Sequence, residues 1–317
     1  MRALVWNGER ARVVDRPDPT ASEQAIVRVT LAGVCATDLE ITRGYMDFRG
    51  VLGHEFVGCV EDGPEDWVGA RVVGEINIGC GACASCSEGL ERHCPNRRVI
   101  GILDADGAFA ERIALPLSNL HRVPNSVSDE AAVFTEPLAA AFEILEQVEI
   151  QAKHRCYVFG DGRLGLLISQ VLHTTGASVT TIGKHPDKLA LLTKCGIATR
   201  LLSDWEIQPE QGDIVVEATG SPTGFARAVD ATRPRGFLVL KSTVADAPAI
   251  DLSPLVINEI HVVGSRCGPF GPALEALANG AIEVEQMVAE RFPLDLAEAA
   301  LRKAAEPGVL KVLIDCR

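Results

Sequence analysis

The chain has 317 residues, 43 acidic and 30 basic, for a formal net charge of −13 at pH 7. That length exceeds what one hydrophobic core needs, so two domains are expected, and the negative charge excludes a nucleic-acid binder held by phosphate contacts. A hydrophobic fraction of 47% with only 29 Gly and 17 Pro excludes a disordered or fibrous chain, and no run approaches the roughly 18 apolar residues of a membrane span. Residues 1–7 are charged and interrupted too early for a secretory leader, so a cytoplasmic protein acting on a small molecule is expected.

From the N-terminus the chain reads as short strands punctuated by Gly and Pro, at Ile26 to Leu31, Phe56 to Glu61 and Arg71 to Ile76. This is the pattern of a barrel or sandwich. Cys80, Cys83 and Cys86 then follow one another at two-residue intervals, with Cys94 one loop later. Four thiolates so spaced can close a tetrahedron around a structural zinc, leaving no position open for water. The lobe at 79–95 should therefore hold structure together rather than do chemistry, with His93 a surface neighbour. Cys59, Cys156, Cys195, Cys267 and Cys316 are scattered and read as small apolar packing residues.

From about Ala131 the period changes. Pro137 to Gln147 is a helical stretch, and Cys156 to Phe159 is an apolar run without alternation, as in a strand buried on both faces. That run enters Gly160-Asp161-Gly162-Arg163-Leu164-Gly165, which opens a helix with Leu164, Leu167, Ile168, Val171 and Leu172 at helical spacing. Between a buried strand and a helix, G-x-G-x-x-G reads as a dinucleotide-binding turn. Gly160 permits the tight turn, Gly162 lets a pyrophosphate approach backbone N–H groups at the helix N-terminus, and Gly165 lets the helix pack on the sheet. Arg163 faces solvent or the pyrophosphate. Strand and helix keep alternating through Val179 to Ile182, Asp187 to Cys195, Asp213 to Glu217, Gly236 to Leu240 and His261 to Gly264, the pattern of a doubly wound α/β domain. A helix, Pro272 to Asn279, and a strand, Lys311 to Ile314, end the chain.

NAD-specific domains of this type carry an acid about 20 residues beyond the glycine motif, where it bonds the ribose hydroxyls. Here the second strand ends in Gly183-Lys184-His185. Gly183 leaves room where a carboxylate would stand, and Lys184 and His185 offer donors to a 2′-phosphate, so NADP is favoured over NAD.

Three more motifs are dispersed: Cys35-Ala36-Thr37-Asp38, Gly53-His54-Glu55 and Glu136-Pro137. Singly, Cys35 reads as a buried apolar residue, His54 as a satisfied histidine and Glu136 as a charge favourable to a helix N-terminus. Taken in order with the cysteine lobe, the glycine turn and Val215 to Gly220, they resemble the zinc-dependent medium-chain alcohol dehydrogenase family over essentially the whole chain. The resemblance implies a GroES-like β-barrel catalytic domain over 1–137, a Rossmann cofactor domain over 138–267, a return to the catalytic domain over 268–317, and a homodimer or homotetramer paired through the Rossmann sheets. It also implies that Cys35 and His54 bind a catalytic zinc, with Glu55 and Glu136 as carboxylates that ligate it or hold its water, giving two Zn²⁺ per chain. An open zinc position acidifies a bound hydroxyl as it does water. By the same resemblance Thr37 accepts the substrate proton, Asp38 holds the second ring N–H of His54, Lys311 stands near that aspartate and the cofactor phosphates, and Thr219 contacts the cofactor. Glu40 stands where many relatives have a histidine proton relay. The acid at 136 matches the sorbitol, threonine and glucose dehydrogenase branches, so the expected reaction moves a hydride between an alcohol, polyol or sugar hydroxyl and NAD(P).

Two other readings compete. A zinc-free quinone or enoyl reductase would share the fold but lack both the Cys35 and four-cysteine motifs. A non-catalytic zinc-binding protein would explain Cys80 to Cys94 but not the glycine turn.

Overall fold

A computed structural model describes residues 1–20, 24–206, 211–242 and 250–317. They form two compact units, one of Met1–Glu136, Ala273–Asn279 and Val284–Arg317, the other of Pro137–Pro272 and Gly280–Glu283. The chain first crosses between the units from Glu136 to Pro137. The return comes later than residue 268, for two local reasons. Gly268 packs so closely on the Ala139 carbonyl that a Cβ would stand 2.0 Å from its oxygen, and Glu283 exchanges hydrogen bonds of 2.8 and 3.0 Å with the Gln170 side chain.

The first unit is built on a seven-stranded sheet in the order Leu120–Arg122, Arg71–Gly74, Glu55–Asp62, Ala25–Gly33, Lys311–Asp315, Val288–Pro293, with Arg112–Leu115 also pairing to Ala25–Gly33. Ile26, Val27, Val29 and Leu31 make the central strand, β-branched or aliphatic residues that fit a pleated, buried surface. Its register decides the site. Gly33 lies opposite Glu55 on one side and Leu313 on the other, so strand Lys311–Asp315 flanks the end of Ala25–Gly33 that also faces the start of strand Glu55–Asp62. Two small sheets, Ala11–Asp15 with Arg2–Trp6 and Gly50–Val51, and Asn77–Ile78 with Arg98–Ile100 and Asp104–Ala105, complete the β architecture.

The second unit is a parallel six-stranded sheet in the order Ala198–Leu201, Ser178–Gly183, Arg155–Phe159, Gly212–Glu217, Thr232–Leu240, His261–Gly264. Strand order reverses between Arg155–Phe159 and Gly212–Glu217, the point where doubly wound sheets bind ligands. Tyr157, Phe159, Ile182, Val215 and Leu238 pack in one apolar cluster of this unit.

The long buried strands stand where the hydrophobic pattern puts them. Strands Ala198–Leu201 and Val288–Pro293 and helices Gly224–Ala231 and Ala297–Ala304 are among the elements beyond those expected from the sequence. The two strands are short or largely exposed members at sheet ends, with Arg200, Glu290 and Arg291 interrupting any apolar pattern. Among the described residues no helix is long and apolar enough to cross a membrane.

Candidate functional site

In the first unit, Cys35 caps helix Ala36–Ile41 and its backbone N–H donates to Asp38 Oδ2 at 2.8 Å. Asp38 is fully buried, and its Oδ1 accepts from the Gly53 N–H at 3.1 Å. One carboxylate thus ties the helix to the turn carrying His54, whose Nδ1 lies 3.4 Å from the same Oδ1. At that length Nδ1 has no closed hydrogen bond, and it is buried. Donor atoms of Cys35, His54 and Glu55 lie within 4.8 Å of one another. Burial disfavours a charged His54, yet Asp38 and Cys35 outweigh it and hold the ring's pKa well above the usual histidine value. The Asp38 carboxylate and the Cys35 thiol thus make the surroundings of His54 favourable to positive charge.

Thr37 Oγ1 is 3.7 Å from Cys35 Sγ, within the same cluster of side chains. Glu40 is not part of it, since its exposed carboxylate pairs with Arg43 at 2.6 Å. Glu136 sits half-buried in the first turn of helix Thr135–Gln147, outside the three-residue donor cluster.

Lys311 has a partner that the sequence does not indicate. Its ammonium forms an ion pair with Glu55, both side chains 1% exposed, and stands 5.3 Å from the centre of the Phe134 ring. Its partner is Glu55 because the final strand enters the sheet beside Gly33, and Gly33 lies directly across from Glu55.

Cys80, Cys83, Cys86 and Cys94 form a second donor group. Zinc bonds of about 2.0–2.3 Å arranged tetrahedrally set donors roughly 3.3–3.8 Å apart. Cys83 Sγ is 3.5 Å from Cys86 Sγ and 3.7 Å from Cys94 Sγ, so the thiols stand at zinc-ligand spacing. The backbone N–H of Ala82, the Cys94 thiol and the N–H of Cys83 bring the Cys80 thiol down to about 6, while desolvation pushes Cys86 up to about 11.

In the second unit, Gly160 has φ +121°, and a Cβ there would meet the Ala218 carbonyl oxygen at 2.4 Å. A Cβ on Gly165 would meet the Gly160 carbonyl oxygen at 2.1 Å, while one on Gly162 would meet nothing within 4 Å. The turn is therefore closed toward the sheet and open in front of helix Arg163–Thr174, the cradle a phosphate needs. Arg163 and Leu164 are half-buried at the helix start. Thr219 is held at the end of the next strand by Glu217 Oε1, which accepts its backbone N–H at 2.8 Å and its hydroxyl at 2.5 Å.

The expected opening at Gly183 is filled. A Cβ on Gly183 would lie 2.6 Å from both Cβ and Oδ2 of Asp161, and Oδ2 accepts the N–H groups of Lys184 and His185 at 2.6 Å each. His185 Nδ1 is 3.0 Å from the same oxygen. The space beside Gly183 thus holds the Asp161 carboxylate, which also takes the backbone N–H groups of Lys184 and His185. Burial would raise the Asp161 pKa, but the bonds from His185 and Lys184 hold it below the usual carboxylate range. In sequence Asp161 is masked by its place inside the glycine motif, whose pattern specifies only the glycines.

The family model described as an alcohol dehydrogenase GroES-like domain matches residues 21–125, and that described as a zinc-binding dehydrogenase matches residues 164–279. The chain is 30% identical to D-arabitol-phosphate dehydrogenase of Enterococcus avium, covering 95% of this chain and 93% of that protein. It is 30% identical to L-threonine 3-dehydrogenase of Streptomyces coelicolor, covering 99% of each. A solved zinc-binding dehydrogenase from Sinorhizobium meliloti 1021, bound to NADP, matches with TM-score 0.90 at 28% identity, covering 99% of this chain and 98% of that one. The chain belongs to the zinc-dependent medium-chain alcohol dehydrogenase family, on its polyol side. It is an NAD(P)-dependent oxidoreductase of alcohols.

Proposed function

We propose that the protein oxidises a hydroxyl of a polyol or sugar derivative to the carbonyl and passes the hydride to a nicotinamide cofactor. Cys35, His54 and Glu55 would hold a catalytic zinc, and Cys80, Cys83, Cys86 and Cys94 a structural one. The observation that carries this reading is the gathering of Cys35, His54 and Glu55 donors within 4.8 Å. Of the two carboxylates singled out in the sequence, Glu55 has its oxygen in that cluster, so we assign it the third protein position and leave Glu136 the role of holding water. When bound, zinc supplies a Lewis acid toward the substrate oxygen. Thr37 relays the hydroxyl proton as the carbonyl forms, accepting it at Oγ1 while its own hydroxyl proton passes on to solvent water. Asp38 fixes the His54 ring from behind by closing on Nδ1–H, as carboxylates do for metal-bound histidines. Gly160, Gly162 and Gly165, with Arg163 and Leu164, hold the pyrophosphate of the cofactor, and Thr219 borders it.

A homodimer joined through strand His261–Gly264 is part of this proposal. That strand ends the sheet among the described residues, Val262 is exposed on it, and Val256 and Ile257 in helix Ser253–Ile257 are 76% and 78% exposed. An open strand edge beside apolar side chains is what such pairing covers. Ten free cysteines persist most readily in a reducing compartment, which supports the cytoplasm.

The test is a panel of alcohols, polyols, polyol phosphates and aldoses, scored for reduction of NAD⁺ and NADP⁺ by zinc-replete protein, with light scattering for the oligomer. Reduction with a polyol or sugar member, absent in His54→Ala, is expected. No reduction with any member would overturn the proposal.

A further inference from the structure

The glycine turn carries a carboxylate that cradling a phosphate does not use. The Asp161 side chain is only 10% exposed and reaches from the turn to the end of strand Ser178–Gly183, where its Oδ2 binds the backbone of Lys184 and His185. It occupies the volume a side chain on residue 183 would need, since a Cβ there would stand 2.6 Å from Asp161 Cβ. In doubly wound domains the side chain at that strand end faces the adenosine ribose, where an acid bonds the hydroxyls and repels a 2′-phosphate.

We propose that Asp161 is the residue that selects between cofactors, supplying from the glycine turn the carboxylate missing at Gly183, and that it selects NAD(H) over NADP(H). The inference rests on the dinucleotide reading of this unit. A carboxylate has about four acceptor positions on its two oxygens. Two backbone N–H groups and the His185 ring converge on Oδ2, whereas the hydrogen-bond partner of Oδ1 among the described residues is that ring, at 3.1 Å. Oδ1 therefore keeps room to accept a ribose hydroxyl. A 2′-phosphate at the same place would meet a charge of its own sign and find the N–H groups of Lys184 and His185 already used. The Lys184 side chain opposes this preference, but residue 184 is exposed and its ammonium is screened by water and salt, whereas the Asp161 carboxylate is shielded from both.

The experiment titrates NADH and NADPH separately into zinc-replete wild type, Asp161→Asn and Asp161→Ser, without substrate. Binding is read by calorimetry and by nicotinamide fluorescence, and folding by circular dichroism. Wild type is expected to bind NADH at least about tenfold more tightly than NADPH, a difference of about 1.4 kcal/mol. Each folded variant should lower that ratio at least about tenfold, with NADPH binding more tightly than it does to wild type. A pocket merely damaged would weaken both cofactors together, and that result, an unchanged ratio, or a wild type that favours NADPH would each overturn the proposal. Binding of neither cofactor to wild type would instead bring down the dinucleotide reading, and this inference with it.

Discussion

Lys311→Met tests the least expected feature of the catalytic unit. Lys311 and Glu55 lie 256 positions apart in sequence, and their ion pair is 1% exposed at either side chain. Met replaces most of the lysine stem but removes the charge, leaving the Glu55 carboxylate buried without its cation. Removing one partner of a buried pair costs about 3–5 kcal/mol, a large share of a total stability of about 5–15 kcal/mol. For a unit of this size each kcal/mol moves Tm by about 2–4 °C, so the variant's first unfolding transition should fall by about 6–20 °C. Two comparisons separate this cause from ordinary core damage. The loss should be smaller in zinc-replete than in chelator-treated protein, because a divalent cation at the Cys35, His54 and Glu55 donors would compensate Glu55. Adding Glu55→Gln should restore at least about half of the loss, since the second change removes the stranded charge. Scanning calorimetry of the four combinations, each with and without zinc, reads both effects, and comparison within one metal state cancels the contribution of the cysteine lobe. A single variant within about 0.5 kcal/mol of wild type, or a loss independent of metal and of Glu55→Gln, would refute the reasoning.

The two metal sites should separate by mutation. Wild type should contain two zinc ions per chain by mass spectrometry of the metal, Cys83→Ser should lose one and unfold at a lower temperature, and His54→Ala should lose the other with turnover abolished and circular dichroism unchanged. At Thr37, Thr37→Ser should keep activity and Thr37→Val should lose about two orders of magnitude in kcat, with equal rates for the two showing that the proton leaves elsewhere. Asp315 is held well below the usual carboxylate range, first by Arg317 and then by Arg291. Its contribution to stability is therefore present above about pH 3.9 and is lost as pH falls through the depressed value. Asp315→Asn should flatten the acid limb of a Tm-against-pH curve, and an unchanged limb would count against this pairing.

Several parts of the site are short-range consequences of sequence. The Gly160 to Gly165 turn follows from a buried strand running straight into a helix, and its close approaches to the Gly160 and Ala218 carbonyls are what only glycine permits. The cysteine lobe is similar, because Cys80, Cys83 and Cys86 are close enough in the chain for local turns to bring them together, with Cys94 one turn of chain away. The Cys35 and His54 motifs were legible only through family resemblance, since no periodicity in the chain joins helix Ala36–Ile41 to the strand beginning at Glu55.

What only the tertiary structure decided involves partners set by sheet register. Pairing of Lys311–Asp315 against Ala25–Gly33 brings Lys311 to Glu55, and a strand's local pattern says which face is buried but not which distant strand it will pair with. The parallel register of Arg155–Phe159 with Ser178–Gly183 likewise brings the residue after Gly160 to the end of the second strand. In sequence Gly183 reads as a gap, and only the folded sheet shows that Asp161 fills it. Local propensity and spacing are written in neighbouring residues, whereas the partner of a buried charge depends on how the whole chain closes, and so it is settled by packing.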